Sequence, residues 1–345
     1  MDIKRVLLFT ALAFGLLLPA CHHSSSDDAP TTGTVFVPAS TVKGYISYEE
    51  ANALTADDTL PENMGTTMTG DIAVSETTAG IALSCTYVEV QDEGAEDAPF
   101  SYTMDLAFDY DDQGYLSSLL FSIEDYSESI QLAYAFSDQG AITRKSVLFA
   151  ENGGDLGLYE IVTIAAEGDA DLIRLYRYSS EDNLTDPDHD VSGDEIYSVC
   201  RVYRDDDGNI TRQVFYNTAD PDLAGNANVT TINLYEYDGE GRLTKMSRHI
   251  FGGDFNGDFD SLDSNSASYQ LEYRGLYDGN GNLKYWVEIE PKDAICEVMM
   301  VTWEQQEFSV TAAGFLGSLH WFDMRPNTGY STLGLYPLIF MILVV

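Results

Sequence analysis

Tyr237-Asp238-Gly239-Glu240-Gly241-Arg242-Leu243-Thr244-Lys245 and Tyr277-Asp278-Gly279-Asn280-Gly281-Asn282-Leu283-Lys284-Tyr285 are two copies of one unit. Aligned on the second glycine, the unit has an aromatic four positions earlier, Asp or Ser three earlier, and Leu or Ile two later. Each copy reads as strand, turn, strand. The Asp or Ser can bond its own turn backbone, and the glycine supplies a positive φ at the bend. The aromatic and the Leu or Ile then face each other across the hairpin. Tyr110-Asp111…Gly114-Tyr115-Leu116 and Phe136-Ser137…Gly140-Ala141-Ile142 repeat the pattern. Arg204-Asp205…Gly208-Asn209-Ile210 repeats it with Arg204 in the aromatic position and Tyr203 one place earlier. A sixth copy, Tyr178-Ser179…Asp182-Asn183-Leu184, carries Asp182 where the others have glycine, and Asp tolerates a positive φ better than most residues.

Between these turns, polar and apolar residues alternate with period two. Leu158–Ile164, Ile173–Tyr178, Val229–Tyr237 and Ser268–Tyr273 are examples, and such alternation predicts β-strands. One short helix is expected around Tyr48–Leu54, with Ser47 as its N-cap. The expectation is therefore an all-β chain, an antiparallel meander of repeated β-hairpins forming a large curved sheet or an open barrel. The Tyr237–Lys245 and Tyr277–Tyr285 copies resemble the tyrosine–aspartate (YD) repeats of Rhs-type and teneurin-type proteins, which build long curved sheets of antiparallel hairpins. The resemblance spans roughly residues 100 to 290, with uneven spacing between copies and no Rhs core motif. It implies local hairpin structure, and a plain meander of Asp-Gly hairpins gives the same pattern.

The N-terminus has Lys4 and Arg5, then an apolar run from Val6 to Leu18, then Leu18-Pro19-Ala20-Cys21. Charge, apolar stretch and a small residue in that order predict a signal segment, residues 1–20. The last four residues resemble the lipobox of bacterial lipoproteins. That resemblance implies cleavage before Cys21, lipidation of Cys21, and a chain held at the membrane by acyl groups, which anchor firmly when two or more are present. With His22 rather than Asp after the cysteine, it implies the outer membrane, on its periplasmic or cell-surface face. Residues 21–41 are rich in Ser, Asp, Thr and Pro, and read as the lipidated cysteine and a disordered tether. Residues 42–328 would form the hairpin domain. The apolar tail, 329–345, is short for a helical span and reads as a closing strand, an interfacial segment or a non-native end.

The formal net charge is −40. Such a surface excludes nucleic acid as a partner, because phosphates require cations, and it suits divalent cations. Asp254, Asn256, Asp258, Asp260 and Asp263 place oxygen ligands at alternate positions of a Gly-containing loop, as Ca²⁺ requires. The stretch resembles the opening of dockerin and EF-hand-like loops. It departs from them at Phe259 and Asn265, where glycine and a bidentate Glu are expected, so a hairpin-loop calcium site is the form it would take. Asp186-Pro187-Asp188-His189-Asp190, with Asp194 and Glu195, is a second acidic loop in which His189 could bind a transition metal or stand in solvent.

Cys85, Cys200 and Cys296 remain beside Cys21, an odd number allowing at most one disulfide. Cys85 and Cys200 sit in apolar runs that suit buried thiols. No nucleophile elbow, Walker loop or His-Glu-x-x-His occurs, so no catalytic residue is assigned and a non-enzymatic role is expected, with an unidentified protein or glycan as ligand. The alternative is a hydrolase acting on envelope or extracellular polysaccharide through paired carboxylates. Tyr235, Tyr237, Tyr273, Tyr277, Tyr285 and Trp286 would serve as a sugar-binding face if exposed, or as sheet packing if buried.

Overall fold

The computed structural model describes residues 32–60, 64–78, 80–90, 101–111, 115–123, 126–179, 182–216, 228–251, 255, 262, 269–289, 295–309 and 312. The strands are β1 (Thr32–Ser47), β2 (Gly65–Glu76), β3 (Gly80–Glu89), β4 (Ser101–Tyr110), β5 (Leu116–Ile123), β6 (Tyr126–Phe136), β7 (Ile142–Glu151), β8 (Gly157–Glu167), β9 (Ala170–Arg177), β10 (Ser198–Arg204), β11 (Ile210–Tyr216), β12 (Val229–Tyr237), β13 (Leu243–Ile250), β14 (Tyr269–Tyr277), β15 (Leu283–Ile289) and β16 (Ile295–Ser309). Each neighbours the next in sequence order, and β1 pairs with β16, so the strand order is that of a closed antiparallel barrel. The closing pair runs antiparallel from Thr32↔Ser309 to Ser47↔Ile295. β1 therefore begins inside the stretch read as a tether. Val35, Phe36 and Val37 are three apolar residues in a row, β16 satisfies the backbone groups of this stretch, and Val37 is fully buried.

The turns form as their side chains dictate. Gly241 N–H donates to the Asp238 carbonyl and Asp238 N–H to the Arg242 carbonyl, both at 3.0 Å. The Asp238 carboxylate accepts from the N–H groups of Glu240 and Arg242. Gly140, Gly208, Gly241 and Gly281 all have positive φ. Tyr237 then pairs with Leu243, and Tyr110 with Leu116, each beside a register shift that absorbs the extra loop residue. At Asp205 the Asn209 side chain and the turn N–H groups hold the carboxyl below its ordinary range. Gly114 of the first copy lies outside the described residues.

The sixth copy departs from its pattern. The positive φ falls on Asn183, not Asp182, and Asp182 instead accepts from the Ser179 N–H at 2.7 Å. No strand follows directly. Leu184 accepts from the Leu158 N–H, and the chain continues as a strap to Tyr197. Asparagine is one of the few non-glycine residues that enters the left-handed region, because its short polar side chain can hydrogen-bond locally.

Two compact units divide the chain, one of them Ile130–Glu272. In that unit the sheet is packed on one face by the strap and by Phe251, Phe255 and Leu262. Leu158, Ile161 and Tyr176 meet Leu184, Val191 and Ile196 of the strap. Leu172, Val199, Val214 and Ile232 meet the three residues after β13.

In the second unit, β4 alternates along its whole length and β2, β3 and β5 alternate over much of theirs. Ile72, Val74, Ile81, Leu83, Cys85, Tyr87, Met104, Leu106, Phe108 and Phe121 are buried, while Asp71, Ser75, Thr86, Thr103 and Asp105 are exposed. A short helix, α1 (Tyr48–Ala53), packs on β15 and β16 through Ala51, with Leu54 beyond it. Ser47 caps it, with Glu50 completing a capping box. Cys85, Cys200 and Cys296 are buried and form no disulfide, as the buried-thiol reading of Cys85 and Cys200 expects. Burial pushes the Cys85 thiol up to about 12.

Candidate functional site

The strap carries the second acidic loop, and the sheet beneath it holds that loop in one arrangement. Arg144 on β7 donates from Nη2 to the carbonyls of Pro187 and His189, both at 2.7 Å. Ser146 Oγ donates to the Pro187 carbonyl at 2.6 Å. Asp194 receives the Tyr178 hydroxyl at 2.7 Å and lies 2.9 Å from His189 Nε2. The Tyr178 and His189 rings meet edge to face at 5.5 Å. Burial, then the bond to Asp194, raises the Tyr178 hydroxyl above its ordinary value. Asp190 caps the short 3-10 turn Val191–Gly193, and the Ser192 N–H holds its carboxyl below the ordinary range.

His189 is therefore held in place, not idle in solvent. Its ring is fixed by a carboxylate on one nitrogen, and among the described residues no hydroxyl or thiol bonds the other. A histidine so held can orient a ligand or accept a proton. Without a bonded nucleophile the arrangement is not a triad. Among the described residues no group of three metal-binding side chains occurs. Asp194→Asn is expected to cost about 1 kcal/mol, as for a partly exposed charge-assisted bond. It should also speed proteolysis and amide exchange within residues 182–197. Unchanged exchange there would show that Asp194 does not hold the strap.

A second group lies on the opposite face of the same strands. Lys145 and Glu160 are almost wholly buried. Lys145 stands in register with Val162, and Val162 with Leu175. Glu160 pairs across β8 and β9 with Arg177, whose Nη2 is 3.7 Å from its carboxylate. Burial drives the Lys145 ammonium down and the Glu160 carboxyl up, each partly countered by the other's charge. Lys145 Nζ has no hydrogen-bond partner among the described residues. The sequence signal was present but unused, since Glu160 occupies an apolar phase of the Leu158–Ile164 alternation.

Asp254, Asn256, Asp258, Asp260 and Asp263 lie outside the described residues, as do Cys21 and the tail. The aromatic set is packing: Tyr235, Tyr273, Tyr285 and Trp286 are buried. Tyr273 stacks on Trp286 at 5.6 Å, and the Tyr237 hydroxyl donates to the Ile210 carbonyl. The sheet takes these rings because each spans the gap between neighbouring strands.

No protein-family model and no curated protein matches the chain. Among solved structures it is similar to a porin-like protein from Bacteroides uniformis, at 9% identity and a TM-score of 0.30, over 77% of this chain and 98% of that one. It is also similar to a chain in the crystal structure of TcdB2-TccC3-Cdc42, at 14% identity and a TM-score of 0.23. A chain in the crystal structure of TcdB2-TccC3-TEV gives the same identity and score. The matches cover 72% and 68% of this chain and only 13% and 12% of those chains. Likeness of this degree carries no conclusion about this chain's activity.

Proposed function

We propose that the chain is an outer-membrane-anchored bacterial lipoprotein, held through acylated Cys21, whose sheet is a non-catalytic binding or scaffolding module. The observation that carries the reading is the polar face of β2–β5. Asp71, Asp105, Thr86 and Thr103 face solvent while the alternate side chains form the core. A strand meeting lipid would reverse that order, because a charge on a lipid face is costly, by about 2–4 kcal/mol for Lys or Arg at mid-bilayer and less for Asp or Glu. The pattern supports a sheet that stands in water and reaches a membrane by a lipid. Calcium held by the carboxylates from Asp254 to Asp263 would add to its stability.

Metabolic labelling with an alkyne fatty acid is the direct test. The wild-type chain is expected to take label and to partition into detergent, and Cys21→Ser to lose both. Label that persists in Cys21→Ser, or a wild-type chain that takes none, would remove the lipoprotein reading.

A further inference from the structure

No Lys, Arg or His occurs between Lys43 and Arg144. This interval contains all of β2–β5. The solvent face of these strands therefore carries carboxylates with no cation of its own. Along β4 that face presents Thr103, Asp105, Ala107 and Asp109 in alternation. Ser84 Oγ donates to Asp105 at 2.5 Å, and Ser118 Oγ to Asp109 at 3.0 Å. These hydroxyls orient the two carboxylates and leave their charge unneutralised.

Between the carboxylates the surface dips. Ser75, Ala82, Ser84, Asp105, Ala107, Leu120 and Ser122 line a shallow trough of about 270 Å³. Ala82 pairs with Ala107, and Ala107 with Leu120. The floor is low because these side chains are small, and Leu120 stands beside it 47% exposed.

We propose that this face docks an extended basic polypeptide segment lying along β4. Four residues along a strand separate Asp105 from Asp109, about 13 Å at 3.3 Å per residue. An extended partner has the same repeat, so Lys or Arg at its positions i and i+4 meets both carboxylates. The apolar residue at i+2 enters the trough over Ala107, against Leu120. Carboxylates so far apart cannot share one metal ion, whose oxygen ligands all lie within about 2.6 Å of it. The charge gives steering and register, and the trough gives fit. The proposal rests on the binding-module reading and names the partner class for it.

The test uses the full chain in neutral detergent and a labelled peptide repeating Lys-Thr-Val-Thr, read by fluorescence anisotropy. A peptide of equal composition with its lysines clustered is the comparison. The wild-type chain is expected to bind the alternating peptide, and the clustered one about tenfold more weakly. Ala107→Trp fills the trough, and Asp105→Asn/Asp109→Asn removes the charges. Each is expected to weaken binding about tenfold, while Asp206→Asn, an exposed turn residue elsewhere, changes it less than twofold. Should Ala107→Trp fail to fold, the double Asn variant, checked by its melting, carries the test alone. No binding, equal binding of both peptides, or an equal loss in Asp206→Asn would overturn the proposal. Labelling at Cys21 is independent of this outcome, so the two readings fail separately.

Discussion

Gly80→Ala is expected to cost more than about 3 kcal/mol, enough to unfold many domains. Gly80 opens β3 and pairs with Asp109 of β4. A Cβ at this position would stand 1.8 Å from the Phe108 carbonyl oxygen and 2.9 Å from its carbon. The obstacle is backbone, so no rotamer change relieves it. β4 cannot retreat, because the Phe108 side chain is fully buried and a packed interior does not yield without loss elsewhere. The turn leading in is also fixed, with Thr77 Oγ1 accepting from the Gly80 N–H at 2.9 Å. Denaturant unfolding measures the effect. Gly239→Ala is the control, since a Cβ there meets nothing within 4 Å, and its stability should move by less than about 0.5 kcal/mol. Equal stabilities for the two variants would show that β3 and β4 are not apposed as described.

Lys145→Met should instead stabilise the chain, by about 1 kcal/mol or more. The ammonium is buried, Nζ has no hydrogen-bond partner among the described residues, and Glu160 keeps Arg177 when the lysine is gone. A thioether of similar length fills the space without the desolvation cost. The pH dependence carries the sign. Burial lowers the folded-state value below the ordinary 10.5, so within that window the unfolded chain holds more protons. Wild-type stability therefore rises as pH climbs toward 10.5. Lys145→Met removes the rise. Glu160 acts oppositely: its raised value makes stability fall as pH passes above the ordinary 4.5, and Glu160→Gln removes that fall. Melting followed from below pH 4.5 up to pH 10.5 separates the two. A Lys145→Met chain that melts lower than wild type, with the alkaline rise intact, would mean the amine is solvated or paired.

The turns were legible because their causes are local. Asp238 bonds the N–H groups of residues two and four places on, and no distant residue is needed to form that loop. Strand phase was legible for the same reason, since period two fixes which side chains share a face. Closure was not. Nothing in the alternation of β1 names β16 as its partner, and the open barrel expected from the meander differs from the observed order only there. The site beneath the strap was half legible. His189 and Asp194 stand close in sequence, but Arg144 and Ser146 come from a strand more than forty residues earlier. Lys145 and Glu160 were not legible, because Lys and Glu side chains are seldom fully buried.

The pairing of β1 with β16 has a consequence for how the chain comes to be folded. Ser40 bonds Thr302 across 262 residues, so the seam joins only after nearly every other strand exists. Until then both terminal strands expose unpaired backbone, the condition in which edge strands seek foreign partners. Contacts of such separation form slowly. A chain emerging from its N-terminus would travel as an unsealed ribbon and lock when its sixteenth strand arrives. The vulnerable interval in this protein's life is therefore the wait for β16, and variants that weaken the seam should reveal themselves as aggregation during synthesis before they lower the melting point of the finished molecule.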